Sequence, residues 1–201
     1  MKKFLKHTLE GVAAGIMIVI GCAVYLACDV KWVGAIFFSV ALITICYKQY
    51  SLYTGKITSL LSAHRKDDIS RLLCGLLGNV IGTAIFGLLL GAISHSLQSS
   101  ANALALSKLD LSFVQALVKG MFCGILMYVA VSVYKEKNTV VGIIFCIPVF
   151  ILAGFEHSIA NMGYFAIGNV ISLKSFAFII TVVLGNTLGG LLLPAFEKML
   201  K

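Results

Sequence analysis

Two adjacent ionisable residues, Glu156 and His157, stand inside an otherwise apolar stretch, GFEHSIANM at 154–162. If this stretch lies at membrane depth, such groups are costly there and usually face a cavity or a partner. A histidine can change its charge near neutral pH, and when neutral it offers one hydrogen-bond donor and one acceptor. We therefore expect His157 to face a pore, the alternative being a buried structural histidine.

Glu156 has a different expected role. Adjacent side chains leave the backbone in different directions, so the carboxylate need not share the surroundings of the imidazole. We expect it to be structural, accepting hydrogen bonds from backbone N–H groups freed at a helix break and from the amides of Asn79 or Asn186.

A second polar interruption, LYTGK at 52–56, contains Thr54 and Lys56. The Thr54 hydroxyl could bond to a passing anion or to the His157 ring, or it could cap the half-helix that follows. Lys56 is expected at the start of that half-helix, where its charge opposes the helix dipole. It therefore either snorkels to an aqueous mouth or attracts anions. Lys108, in SKLDLSF, is expected in an external loop as a solvated charge or, beside a pore, as an anion attractor.

These residues must be positioned by membrane-spanning helices. The 201-residue chain is 60% hydrophobic and 12% charged, with a mean hydropathy of +1.01. A spanning helix needs about 20 mostly apolar residues, and six such segments are predicted at roughly 9–28, 30–50, 69–94, 112–134, 139–170 and 172–196. The sequence predicts an all-α, multi-pass membrane protein with one transport domain, 1–201, and no separate soluble domain.

The chain has a formal charge of +8, and the distribution of its basic residues indicates an orientation in the membrane rather than a nucleic-acid-binding surface. Cytoplasmic loops of membrane proteins carry an excess of Lys and Arg, which predicts both termini in the cytoplasm of a bacterial inner membrane. The basic residues on that side are Lys2, Lys3, Lys6, Arg65, Lys66, Arg71, Lys135, Lys137, Lys198 and Lys201, against Lys31, Lys108 and Lys174 on the other.

The chain also repeats itself at an offset of slightly more than one hundred residues. GxxxG motifs begin at Gly11 and Gly120, GNVIG at 78–82 matches GNTLG at 185–189, and the interruptions at 52–56 and 154–158 lie between them. Three spans in each half make the second half inverted, so the repeats are approximately 1–97 and 108–201. Paired interruptions in inverted repeats point to a substrate site near the membrane midplane.

The six cysteines show no metal-ligand spacing and are expected to be packing residues, so neither a metal nor another cofactor is expected. Glu156 and His157 could act together as an intramembrane base. However, the sequence offers no second His/Asp/Glu cluster at membrane depth, and an enzyme is not expected.

At LYTGK, GNVIG, SKLDLSFVQALVKGMFCG, GFEHSIANM and GNTLGG the sequence resembles the formate/nitrite transporter family. The resemblance implies an aquaporin-like protomer of six helices with helices 2 and 5 broken, assembled as a homopentamer with one pore per protomer. It implies that His157 is the central histidine, Thr54 the threonine of the opposite loop and Lys108 the vestibule lysine. The implied apolar constrictions are Phe38 and Phe150 outside, and Leu42, Leu52 and Tyr53 inside.

Three departures from the family pattern stand out. Gly124 follows Cys123 where the family commonly has Asn, which would remove an amide from the central polar cluster and widen it. Lys56 adds a charge beside the first loop. The amphipathic cytoplasmic helix with which many members begin is not expected in this chain.

The resulting hypothesis is a channel or transporter for small monovalent anions such as formate, nitrite or hydrosulfide. A bare anion loses much hydration free energy at an apolar constriction, so protonation near the lysines would let a neutral acid cross, with His157 donating or relaying the proton. Two alternatives are conduction of the ion without net proton movement and an aquaporin-like pore for neutral solutes. The missing NPA loops disfavour the latter.

Overall fold

The computed structural model describes residues 2–62 and 66–200, which are helical apart from short connections. Four helices are long and apolar enough to cross a membrane: α1 Lys2–Ala27, α5 Lys66–Ile93, α7 Phe113–Lys137 and α10 Leu173–Met199. Two shorter apolar helices are α2 Lys31–Tyr47 and α8 Val141–Leu152. These lengths and compositions confirm a multi-pass membrane protein. Arg65 and Lys201, used above to predict orientation, lie outside the described residues.

Short helices follow each of the two shorter apolar helices. After α2 the chain is non-helical at 48–52 and then forms α3 Tyr53–Lys56 and α4 Ser59–Ser62. After α8 it is non-helical at 153–157 and then forms α9 Ser158–Ile167. We call these two non-helical stretches the first break and the second break. The first lies slightly N-terminal to the LYTGK motif that predicted it.

The helix α6, His95–Leu109, was not predicted, because the sequence analysis assigned this stretch to a loop. The Ser94 side chain caps its start by accepting a hydrogen bond from the Leu97 N–H at 3.4 Å. Ala101 and Ala105 are fully buried, and α6 packs against α9. Lys108 therefore lies in the last turn of a helix rather than in a loop. The position of α6 against α9 sets where the Lys108 side chain lies.

Close helix packing holds the long helices in pairs, α1 against α5 and α7 against α10. A Cβ atom at Gly11 would overlap the carbonyl oxygen of Gly75, and one at Gly124 would overlap that of Asn186. Small residues let membrane helices approach this closely. Gly124 therefore packs against the α10 backbone, and the expectation that it widens a central polar cluster is wrong.

Candidate functional site

The helices α2 and α8 end with the same hydrogen-bond motif, which creates the two breaks. After α2, the Tyr50 N–H donates to the Ile45 carbonyl at 3.0 Å, and after α8 the Phe155 N–H donates to the Phe150 carbonyl at 2.9 Å. The residue that turns each chain has a left-handed backbone, Gln49 with φ 56° and Gly154 with φ 68°. This is the Schellman termination of a helix, and in each break it turns the chain from exposed residues toward buried ones.

Two buried asparagines hold the backbones of the breaks. The Asn79 amide donates to the Gly11 and Ser51 carbonyls, both at 2.9 Å, and its Oδ1 accepts from the Tyr53 N–H at 2.9 Å. These bonds satisfy backbone groups that lipid could not satisfy.

The second asparagine makes the same set of bonds. The Asn186 amide donates to the Gly120 and Glu156 carbonyls at 2.9 and 2.8 Å, and its Oδ1 accepts from the Ser158 N–H at 2.9 Å. Asn79 and Asn186 therefore bind backbone and not the Glu156 carboxylate, so the predicted contact with that carboxylate is wrong.

His157 links the two breaks. It is 3% exposed and precedes the first residue of α9, where its Nδ1 accepts the Ala160 N–H at 3.0 Å. Because a backbone N–H can only donate, Nδ1 carries no proton, and the ring of this neutral histidine is protonated at Nε2. That nitrogen lies 2.9 Å from Thr54 Oγ1, to which it donates. The Thr54 hydroxyl thus keeps its own hydrogen for another acceptor.

A cavity of about 130 Å³ lies on one side of His157, and we call it the histidine cavity. Phe38 and Phe150, two of the implied constriction residues, line it together with His157. The Phe150 and His157 rings stack with centroids 5.7 Å apart and an interplanar angle of 19°. The imidazole therefore borders a space whose walls are largely aromatic.

An ion pair lies at the same cavity. Lys108 Nζ is 2.6 Å from Glu156 Oε2, and the side chains are 14% and 3% exposed. Asn161 donates to the same oxygen at 2.9 Å, and both Lys108 and Asn161 line the cavity. Because the ammonium and the carboxylate compensate each other, Lys108 attracts an incoming anion less strongly than an isolated lysine would.

Neither this ion pair nor Asn161 was found from the sequence. Asn161 is a polar residue inside the apolar helix α9, four residues after His157 and so on the same helix face. That spacing could have indicated it. The pairing of Lys108 with Glu156 had no such local signal.

A second cavity, of about 260 Å³, is bordered by Leu42 and Leu52, the implied inner constriction. Both leucines are almost fully buried. We call this the basic cavity, because Lys56, Arg71 and Lys135 also line it. Lys56 is the last residue of the four-residue helix α3, so the prediction that it opposes the dipole at the start of a half-helix is wrong.

Tyr53 is positioned differently from the leucines. The residue is 7% exposed, and its hydroxyl lies 2.8 Å from Thr187 Oγ1 on α10. Thr54 borders a third cavity of about 250 Å³ between α3 and α7. The two partners of the His157–Thr54 contact therefore border different cavities, His157 the histidine cavity and Thr54 this third one.

Helices broken at buried polar contacts, with cavities beside them, are typical of membrane transport proteins. The sequence model of the formate/nitrite transporter family matches residues 1–199. The chain therefore belongs to the formate/nitrite transporter family, which confirms the resemblance found in the sequence.

Individual relatives agree with this assignment. The chain is 30% identical over 179 residues to the uncharacterized transporter YrhG of Bacillus subtilis, covering 79% of this chain and 66% of YrhG. It is 32% identical over 128 residues to the nitrite transporter NirC of Escherichia coli, covering 57% of this chain and 48% of NirC. The chain thus spans about two thirds or less of the length of these relatives.

A solved structure described as a pentameric formate channel with formate bound matches with a TM-score of 0.83. The match covers 99% of this chain and 97% of that one, at 24% sequence identity. At this identity the likeness establishes the fold.

Proposed function

We propose that this chain conducts small monovalent anions such as formate, nitrite or hydrosulfide, which cross the centre of the protein as neutral acids. The proposal is carried by one observation, the His157–Thr54 contact at the meeting point of two helix breaks. A wall of Phe38 and Phe150 lies toward one cavity, and Leu42 and Leu52 lie toward the other. The names of the relatives and of the solved channel support anions as the substrate class.

The apolar walls decide in which form the substrate crosses. A bare anion loses most of its hydration free energy between phenylalanine or leucine side chains, at a cost of several kcal/mol. A neutral acid of the same size avoids most of that cost. The Lys108 ammonium favours the ionised form and draws the anion in. As the anion leaves the ammonium for the apolar wall, desolvation favours the neutral acid, and a hydronium ion of the solvent supplies the proton.

His157 then has a more limited role than proton donation. Its Nδ1 is occupied by the Ala160 N–H, and its only ring proton bonds to Thr54. We therefore propose that the imidazole orients the Thr54 hydroxyl toward the substrate, so that the hydroxyl hydrogen meets an oxygen, or the sulfur of hydrosulfide. Proton relay through the ring would first require the bond to Ala160 to break.

The architecture belongs to the same proposal. We propose one transport domain over 1–201, built as inverted repeats at approximately 1–97 and 108–201, with six membrane crossings that include α2 and α8 with their breaks. Asn79 and Asn186 make corresponding hydrogen bonds in the two halves, which supports the repeat. We further propose a homopentamer in a bacterial inner membrane, with both termini in the cytoplasm.

Formate uptake into proteoliposomes at two external pH values tests the neutral-acid route. Lowering the pH by about two units raises the neutral fraction of a weak acid about 100-fold, so uptake above the background of empty liposomes should rise at least about tenfold. Current that follows the Nernst potential of the anion would contradict this route and favour ion conduction. Swelling in glycerol or urea without formate flux would favour a neutral-solute pore.

A further inference from the structure

Three cationic side chains, those of Lys56, Arg71 and Lys135, line the basic cavity. Lys56 interacts electrostatically with Arg71 and Lys135, which repel it, and with Glu10, which attracts it. Taken by themselves, these four groups carry three positive charges and one negative charge. The Coulomb energy of an anion here scales with its charge, so a divalent anion gains more than a monovalent one.

Arg71 also has hydrogen-bonding capacity that the described residues do not use. Its Nη2 lies 3.5 Å from Glu10 Oε2, whereas its buried Nε has no hydrogen-bond partner among the described residues. Buried donors without a partner are uncommon in folded proteins. The guanidinium fork matches two oxygens of a phosphate-like anion. Because Nε is buried, pairing it with such an anion requires the partly exposed Arg71 side chain to rotate toward the cavity.

The volume and the lining of the basic cavity suit an anion that enters it but does not move past the leucines. Its volume of about 260 Å³ is twice the 130 Å³ of the histidine cavity. At about 30 Å³ per water it has room for roughly nine molecules, enough for a partly hydrated oxyanion. Leu42 and Leu52 border the same space, and a divalent anion would have to lose its hydration to move beyond them.

We propose that the basic cavity is a binding site for a divalent tetrahedral oxyanion, for which inorganic phosphate is the probe, and that the bound anion blocks transport from this face. The blocking step rests on the proposed function. The binding step requires only the cavity and its cations.

The experiment measures formate flux in membrane vesicles of both orientations, with phosphate on one face at a time. The Tyr128 hydroxyl donates to Glu197, so the end of α10 lies at the same end of the bundle as Lys135. Protease access to a C-terminal tag therefore reports the face of the basic cavity. We expect phosphate on that face to inhibit flux, whereas chloride at equal ionic strength does not.

Substitutions test the site itself. Lys135→Gln should raise the half-inhibitory phosphate concentration about tenfold, since one cation is lost, and Lys56→Gln should act in the same direction. Lys48→Gln is the matched control, because Lys48 is an exposed lysine in the first break that does not line the cavity. It should leave phosphate inhibition unchanged.

A second readout separates this inference from the proposed function. Phosphate should raise the thermal unfolding temperature of the detergent-solubilised protein, and Lys135→Gln should weaken that shift. No stabilisation, equal inhibition from both faces, or undiminished inhibition in Lys135→Gln would overturn the inference. Stabilisation by phosphate in a protein that conducts no formate would overturn the proposed function and leave the binding site standing.

Discussion

The first and second breaks share a backbone frame but carry different side chains. In each, an asparagine on a neighbouring helix donates to a carbonyl of the break, that of Ser51 in the first and that of Glu156 in the second. The backbone N–H of Ser51 donates to a carbonyl of α1, and that of Glu156 donates to a carbonyl of α7, each at 3.3 Å. The frame is therefore duplicated, whereas the carboxylate and the imidazole occur only in the second break. The duplicated hydrogen bonds fix the backbone of both breaks, and the side chains found only in the second break give the site its chemistry.

Removing either asparagine tests the duplicated frame and should have the largest effect. Asn79→Ala or Asn186→Ala removes three hydrogen bonds and leaves buried backbone groups unsatisfied, at about 1–3 kcal/mol each. We expect each substitution to cost at least about 3 kcal/mol and to abolish most of the folded protein, measured by thermal unfolding in detergent.

The matched control is Asn102→Ala. Asn102 is a partly buried asparagine whose amide donates one hydrogen bond, to the Gly168 carbonyl at 3.0 Å, so its loss should cost about 1 kcal/mol. If Asn79→Ala and Asn186→Ala were as mild as this control, the two breaks would not depend on the amides.

Glu156→Gln tests the difference between the breaks and should have an intermediate effect. It leaves the Lys108 ammonium, which is 14% exposed, without its carboxylate. Removing one partner of a buried ion pair costs about 3–5 kcal/mol. Because Lys108 borders the histidine cavity, we expect a smaller loss of stability, of about 2 kcal/mol. Ser51→Ala, which removes only a hydroxyl bond to Glu10 at 2.9 Å, should cost about 1 kcal/mol. Thermal unfolding of both variants compares them.

The double variant Glu156→Gln, Lys108→Met sharpens the same comparison. If the destabilisation of Glu156→Gln comes from an uncompensated lysine, removing that charge should recover much of the loss. A double variant less stable than Glu156→Gln would show that the carboxylate acts mainly through Asn161 or the backbone.

The smallest expected effect concerns the turning residues. Gln49 adopts a left-handed backbone where the second break has Gly154, and this conformation costs a non-glycine residue about 1 kcal/mol. Gln49→Gly should therefore leave stability unchanged or raise it by a few tenths of a kcal/mol, whereas Gly154→Gln should lower it by about 1 kcal/mol. Chemical denaturation reports both differences. If Gln49→Gly and Gly154→Gln changed stability in the same direction, the left-handed backbone would not have the same cost in the two turns.

Hydropathy and motifs in the sequence predicted much of this fold, because burial in lipid leaves a strong local signal. The long apolar helices follow from runs of about 20 apolar residues. The His157–Thr54 contact was among the alternatives for Thr54, since two facing interruptions bring their polar residues together. The helix α6 was missed because its sequence, HSLQSSANALALSKL, mixes polar and small residues, although Ser94 at its start was a readable cap.

The partners of the buried charged and amide groups could not be predicted. Lys108 and Glu156 are 48 residues apart and meet only because α6 packs against α9. The asparagines bind backbone carbonyls, and a carbonyl has the same chemistry at every position. Contacts of this kind depend on the packed geometry and leave no pattern in a single sequence.

Formate flux through His157→Asn tests the central claim most directly. An Asn side chain can accept the Ala160 N–H as a helix cap, so α9 should stay folded, but it is too short to replace the imidazole beside Thr54. The matched control is His95→Asn, at an exposed histidine in the first turn of α6. We predict that His157→Asn loses at least about 90% of flux, equivalent to about 1.4 kcal/mol, while unfolding at a temperature close to the unsubstituted protein and to His95→Asn. Unchanged formate flux in a folded His157→Asn protein would contradict a pathway through this histidine.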